Sequence, residues 1–371
     1  MMQTKLIQEG EVRLRVPTED KFKAAVFYNR DAELQRDISI ATLSAWKNLS
    51  KKKIFACDAL SATGIRGLRY AKEAGLKEII LNDHNPIAFK LIKQNIKLNK
   101  LTKICKANWQ NMNALLQSKV FSFIDIDPFG TPNIFLDAAA RSIHSKGLVA
   151  ITATDTAPLS GTYPKTCLRK YGIKTIKGTE FYRELGIRNL ITFTMLAFSK
   201  YDRAFVPMLS HATTHYFRIY GKMGPASEIE PLLKQIKIIY YCRKCLNREF
   251  GNVRERCQCG SQFETAGPIY VGTIQDTIFC SAVIDDMKKR DFNQKKAELE
   301  LLYMLVNEAK SPPLYFDLNA IGKAYKKVPL KLDVLIEKLK SKGFLATRTH
   351  FCPTGIKTDS DLKDILEAFR K

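Results

Sequence analysis

The first seventeen residues alternate, with Leu6, Val12, Leu14 and Val16 set between polar or charged neighbours, and predict a β-hairpin or edge ribbon. A helical stretch follows over Asp31–Leu49. From Lys53 the pattern switches repeatedly between strand and helix. Ile54–Leu60 (IFACDAL) reads as a strand, TGIRGLRYAKEAG as a helix ending at Gly75, and Glu78–Asp83 (EIILND) as a second strand. NPIAFKLIKQNIKLNK continues as a helix, and a short third strand covers Lys103–Ala107. Val120–Asp127 (VFSFIDID) and Gly147–Asp155 (GLVAITATD) are the fourth and fifth, separated by a helix with apolar positions at Ile134, Leu136 and Ala138. This alternation predicts a parallel sheet with helices on both faces. Ligands of such sheets sit at the carboxyl ends of the strands.

Small residues and proline at Gly221–Pro231 mark a linker. Beyond it lie a cysteine cluster, a Lys-rich helical stretch (Ser281–Lys310), and helices over Phe316–Lys326 and Leu330–Lys342. LATRTHFCPTGIKT then reads as a hairpin-like wing. The expectation is an α/β domain over residues 1–225 and a smaller α+β domain over 226–371 with a winged-helix-like end. A length of 371 residues suits two domains.

The net charge of +23 changes the picture, because self-repulsion on that scale favours a polyanionic partner. Basic stretches at Lys51–Lys53, Lys165–Lys177, Arg243–Arg256, Lys288–Lys296 and Lys323–Lys342 can supply phosphate contacts. No run of about 18 apolar residues offers a membrane span. The polar, alternating N-terminus excludes a secretory signal. The nine cysteines are therefore expected as thiols or metal ligands in a reducing, cytoplasmic compartment. No feature calls for an obligate protein partner.

The densest chemistry lies in FSFIDIDPFGT, Phe121–Thr131. Alternation sends Phe121, Phe123, Asp125 and Asp127 to one side and Ile124 and Ile126 to the other. Asp127, the Pro128 carbonyl and the Phe129 ring meet at one point, the arrangement needed for methyl transfer to an exocyclic base amine. A carboxylate and a carbonyl each accept an N–H, orienting a poor nucleophile, and the carboxylate then takes the proton. Phe129 stacks on a flipped base.

DALSATGIRG (Asp58–Gly67) is a strand-turn-helix in which Gly64 and Gly67 allow close approach to a ligand. It is neither GxGxxG nor a phosphate loop. It suits a cofactor with a methionine-like end, Arg66 meeting the carboxylate and Asp58 helping to hold the ammonium. Asp83, about 20 residues past the glycines, is placed for ribose hydroxyls, or to cap the following helix. Asn108 and Trp109 lie where an adenine would be bonded and flanked.

Cys242 and Cys245, then eleven residues, then Cys257 and Cys259, match a closed tetrahedral Zn²⁺ site of structural type. Arg243, Lys244, Arg254 and Arg256 are expected to lower the thiol pKa values. Cys57, Cys105, Cys167, Cys280 and Cys352 read as packing residues. His215 and His350 read as packing or RNA-backbone residues, and the wing, with Arg348, His350 and Lys357, either contacts RNA or packs over the catalytic domain.

The chain resembles the tRNA guanine-N2 dimethyltransferases acting at position 26. The resemblance is carried by VFYNR (26–30), LQRD (34–37), DALSATGIRG (58–67), DIDPFGTP (125–132), TATDTAPLSGTYPKTCLRKYG (152–172), ELGIR (184–188), AFVPMLSHATTHYFR (204–218) and ATRTHFCPTGIKT (346–358). It implies a Rossmann-like class I methyltransferase domain and S-adenosylmethionine bound by Arg36, Arg66 and Asp83. It also implies Asp127 as catalytic carboxylate, Phe27 and Phe129 as the rings that sandwich a flipped guanine, and tRNA as partner. Asn108 stands where relatives often carry an acid, and Arg30 where they commonly carry proline. The alternatives are adenine-N6 or glutamine-amide methylation, and a nucleic-acid-binding protein with a degenerate catalytic fold.

Overall fold

The computed structural model describes residues 2–20, 23–213, 215–251 and 255–369. The N-terminal ribbon is as expected: β1 (Thr4–Glu9) and β2 (Val12–Pro17) pair antiparallel, with Val12, Leu14 and Val16 fully buried. Helix α1 (Glu33–Ser50) is buried over most of its length.

The strand–helix alternation continues through β3 (Phe55–Asp58), α2 (Ile65–Lys72), β4 (Glu78–Asp83), α3 (Pro86–Leu98), β5 (Cys105–Trp109) and α4 (Met112–Ser118). It proceeds through β6 (Phe121–Ile126), α5 (Leu136–Ser142) and β7 (Ile143–Ala153). Short helices α6 (Thr156–Leu159) and α7 (Pro164–Tyr171), the long α8 (Tyr182–Ser199), and strands β8 (Ala204–Thr213) and β9 (Tyr216–Gly224) complete this part. The sheet order is β5-β4-β3-β6-β7-β9-β8. The first five pair in parallel, while β9 runs antiparallel to both β7 and β8. This is a Rossmann-like α/β domain with a mixed, not purely parallel, sheet.

Two local expectations are corrected. Gly221 is not in a linker but inside β9, paired with Val149 and Pro207. It reads as a breaker because a Cβ there would lie 2.4 Å from the Phe205 ring, so packing demands glycine. Phe121 packs with Ile124 and Ile126 in one core while Phe123 packs in the other, so the alternation fails at the start of β6, where the pairing with β7 also shifts register.

Beyond α9 (Ile229–Leu233), a small sheet of order β11-β10-β12 joins β10 (Ile236–Tyr241), β11 (Arg248–Phe250) and β12 (Glu264–Tyr270). The Lys-rich stretch forms two helices, α10 (Thr277–Lys288) and α11 (Lys295–Glu308), whose apolar faces share one core with α1 and α2. The end consists of β13 (Phe316–Asp317), α12 (Leu318–Tyr325), α13 (Leu332–Ser341), β14 (Ala346–Thr349), β15 (Cys352–Thr358) and α14 (Leu362–Ala368), with sheet order β13-β15-β14. Among the described residues no helix is long and apolar enough to cross a membrane.

The wing packs inward. His350 bonds the Glu308 carboxylate through Nδ1 and accepts from the Ala212 N–H at 3.2 Å. Lys357 donates to Glu184 at 2.8 Å, beside Arg188 at 2.9 Å, and all three side chains are buried. Arg348 instead pairs with Asp333 on the surface, and His215 is exposed. Burial would raise the Glu184 pKa, but Lys357 and Arg188 hold it down to about 2. Its stabilising contribution is present above the ordinary glutamate value and is lost as pH falls from there towards 2. Glu184→Gln leaves two buried cations short of a counter-charge and should cost about 3–5 kcal/mol in urea unfolding at pH 7. The difference between variant and wild type should shrink as pH falls below about 4.

Candidate active site

Asp127 follows β6, with its side chain about one-quarter exposed, and Pro128 is buried behind it. The turn is fastened to the loop after β7: the Gly130 N–H donates to Thr154 Oγ1 at 2.6 Å, and the Thr154 N–H returns to the Gly130 carbonyl at 3.0 Å. Gly130 has φ +86°, which favours glycine. Phe129 projects into solvent, 70% exposed, with the Phe27 ring 4.2 Å away and edge-to-face. The two rings therefore touch directly.

Arg66, in the first turn of α2, is buried and donates to Asp127 Oδ2, to Gln35 Oε1 at 2.9 Å and to Ser39 Oγ at 2.9 Å. Its Nε lies 3.8 Å from Asp125 Oδ2. Asp125 is fully buried and takes both arms of Arg218, at 3.1 and 2.6 Å, plus the Tyr70 hydroxyl at 2.5 Å. Burial alone would raise the Asp125 pKa, but Arg218 and Arg66 hold it below the ordinary carboxylate value. Arg218 also donates to Thr152 and Tyr220, which bond in turn to Gln35 and Ser39. The sequence reading assigns no site role to Asp125, Arg218, Gln35, Ser39 or Tyr70, although it places Asp125 on the same side as Asp127. Of these, only Asp125 and Arg218 carried a signal: charges inside otherwise apolar or aromatic strands.

Asp58 receives the Gly67 N–H at 2.9 Å, stapling the start of α2 to β3. Gly64 has φ +82°, and a Cβ at Gly67 would lie 2.6 Å from Leu81. The glycines thus seat the turn against β4, a packing role that the ligand-approach expectation omitted. Asp83 accepts from the Ala62 and Asn85 N–H groups, both at 2.9 Å. The cap of α3 is Asn85, which accepts from the Ile87 N–H. Asp83 instead shapes the glycine turn from the end of β4. Asn108 donates to Asn82 at 2.8 Å, and Trp109, 59% exposed, stacks on Phe89 while donating to the His84 carbonyl. Arg36 is clamped by Glu9 of β1, at 2.5 and 2.6 Å, and donates to the Asn29 carbonyl. The ribbon therefore reaches the site through that pair.

The ends of β3, β4, β5 and β6 thus gather Asp58, Asp83, Asn108, Trp109 and Asp127 on one sheet edge, with Arg36 and Arg66 behind. A model of the N2,N2-dimethylguanosine tRNA methyltransferase family matches residues 10–370. The chain belongs to that family. The tRNA (guanine(26)-N(2))-dimethyltransferase of Methanosphaera stadtmanae is 37% identical over 98% of this chain and 96% of its own. The protein of the same name from Methanothermobacter thermautotrophicus is 37% identical over 97% of each chain. The structure of Trm1 from Pyrococcus horikoshii with S-adenosyl-L-methionine matches with a TM-score of 0.89 and 34% identity, covering 98% of this chain and 99% of that one.

The cysteines Cys242, Cys245, Cys257 and Cys259 also converge, with all Sγ atoms within 4.8 Å of one another. Cys242 and Cys259 sulfurs are 3.5 Å apart, as are those of Cys245 and Cys257. Each turn ends on a positive-φ residue, Leu246 at +58° and Gly260 at +84°. The expectation of depressed thiol pKa values is corrected for two of them. Burial pushes Cys242 and Cys245 up. Arg243 is spent on Glu264 and Arg256 on the Gly260 carbonyl, while Arg254 lies outside the described residues. Cys259 is lowered, to about 6, by its bonds to Ser261.

Burial and the neighbouring Asp125 push Asp58 up to about 7. A raised acid contributes stability that is complete below its unfolded value and lost as pH rises through the folded one. Relative to Asp58→Asn, the wild type should lose a few kcal/mol of unfolding free energy between pH 4 and pH 8. Urea titrations of both proteins at the two pH values measure this.

Proposed function

We infer that this chain is an S-adenosylmethionine-dependent tRNA methyltransferase that places one and then a second methyl on N2 of guanine 26. The observation that carries the reading is Asp127 at the end of β6, held by Arg66 and flanked by the Pro128 carbonyl and an exposed Phe129. The donor, when bound, supplies a methyl on a sulfonium. The donor set here fits it. Asp83 at the end of β4 would accept from the ribose hydroxyls, the Arg36 and Arg66 guanidiniums, bonded to Glu9 and to Asp127, would stand beside the donor's carboxylate, and the Trp109 ring offers a flat exposed face.

The chain's own residues do the rest. Asp127 and the Pro128 carbonyl each accept one N–H of the amine and turn its lone pair towards the methyl. As the new C–N bond forms and the C–S bond breaks, the amine proton passes to an Asp127 oxygen and the sulfonium becomes a neutral thioether. After the first transfer the nitrogen keeps one hydrogen, so the same carboxylate serves a second time. Phe27 and Phe129 must part to roughly 7 Å to stack on both faces of a base. Phe129, mostly exposed, is the ring able to move, and the closed pair covers the site until a base enters.

We further propose a structural Zn²⁺ at Cys242, Cys245, Cys257 and Cys259. Tetrahedral thiolate ligation at about 2.3 Å sets sulfur separations of about 3.8 Å, close to those present. No fourth position is left open for chemistry. We assign residues 1–225 to donor binding and catalysis and 226–371 to holding tRNA, with a winged-helix-like end over 316–358. The charge of +23 supports this cytoplasmic RNA-binding role.

Asp127→Ala should abolish labelled N2-methylguanosine at position 26 of unmodified tRNA while donor binding by calorimetry persists; retained activity removes Asp127 from the mechanism. Metal analysis should give one zinc per chain. Chelation should make the segment around 236–270 protease-sensitive before the rest, and full resistance after zinc loss contradicts the structural assignment.

A further inference from the structure

Among the described residues Arg66 is the only cation bonded to Asp127, yet it also lies within reach of Asp125. The two carboxylates compete for it unequally. Asp125 is completely buried, whereas the Asp127 side chain keeps about a quarter of its surface in solvent. An unpaired buried carboxylate is far costlier than a half-solvated one, so without other help Asp125 would capture the guanidinium. What prevents this is Arg218. It comes from β9, antiparallel to the parallel part of the sheet, and meets both oxygens of Asp125 in a fork that lysine could not reproduce. Tyr70 adds a third donor to Asp125. With Asp125 satisfied, Arg66 turns its outer arm to Asp127, and Gln35 and Ser39 of α1 fix the plane of the guanidinium.

We propose that Asp125 and Arg218 are positioning residues for the methyl transfer: their pairing releases Arg66 to Asp127 and so aims the carboxylate that receives the amine. This rests on the reading of Asp127 given above. A simple stabilising pair is a poor account of the layer. Two buried arginines and a buried aspartate are expensive to desolvate, and an apolar set of the same volume serves packing as well or better. The allocation of charge between two aspartates, one of which meets the substrate, is what an apolar layer cannot provide.

The mechanism makes an unusual prediction, that removing a second charge repairs the removal of the first. In Arg218→Met, Asp125 takes Arg66 away from Asp127, and kcat with saturating donor and tRNA should fall about 100-fold, with KM for tRNA unchanged. In Asp125→Asn/Arg218→Met the competitor is neutral, Arg66 returns to Asp127, and kcat should recover to within several-fold of wild type. All rates are taken per folded molecule, with the folded fraction fixed by circular dichroism. Should Arg218→Met fail to fold, Tyr70→Phe weakens the hold on Asp125 more gently and should lower kcat several-fold, again at constant KM. A double variant as slow as the single one overturns the proposal, as does a Tyr70→Phe enzyme with wild-type kcat. Asp127→Ala, run alongside, separates the two levels. If that variant stays active the reading of Asp127 falls; if it is dead and the rescue fails, only the charge-allocation proposal falls.

Discussion

The structure turns on a problem of like charges. Asp58 and Asp125 are registered neighbours on the parallel strands β3 and β6, both buried where no water reaches, and Asp127 follows two residues on. Three carboxylates cannot all stay ionised there without compensation. The fold answers each differently. Asp58 is pushed towards neutrality and spent on the α2 turn. Asp125 stays ionised against Arg218, and Asp127 reaches the solvent edge with Arg66 behind it. These assignments require α1, α2, β7 and β9 to meet beneath the sheet edge, because each supplies part of the compensation.

How far this was legible follows from where the partners lie. The strands β3 to β7 and the Asp127-Pro128-Phe129 corner announce themselves by local period and composition. Gly221 misleads because its reason, the Phe205 ring, lies on the neighbouring β8. Arg218 shows in the sequence only as a charge within an aromatic strand, and its partner Asp125 stands 93 residues away. The side assigned to Phe121 fails at a register shift that no period reports. His350 and Lys357 read equally well as RNA contacts, and only Glu308 and Glu184, far off in sequence, settle that they face inward. Local chemistry is visible in one sequence; the compensation of buried charge is set by topology and is not.

The same logic explains why the later part of the chain is wrapped so closely around the first. Helix α1 carries Gln35, Arg36 and Ser39, three groups that must be held to within a fraction of an ångström. It is braced from both sides. Glu9 of the ribbon grips Arg36 and also Arg69, while α10 and α11 lie along its outer face. Asp286 of α10 accepts from Ser44 at 2.6 Å, and Arg290 reaches the Glu73 carbonyl at the end of α2. Glu298 of α11, pushed up to about 9 by burial and by Asp37, stays protonated and can share its proton with that aspartate.

A helix buried on nearly all sides has little freedom to rotate, and rotation of α1 by one residue would carry Gln35 and Ser39 off the Arg66 guanidinium together. The precision of the corner at Asp127 is therefore not a property of its loop. It is delivered by Glu9, Asp286 and Glu298, which meet α1 directly, and by Arg218, which reaches that helix through Thr152 and Tyr220. The division of labour proposed at residue 225 concerns donor binding and RNA binding. It does not describe which residues hold the carboxylate still, since those come from both halves.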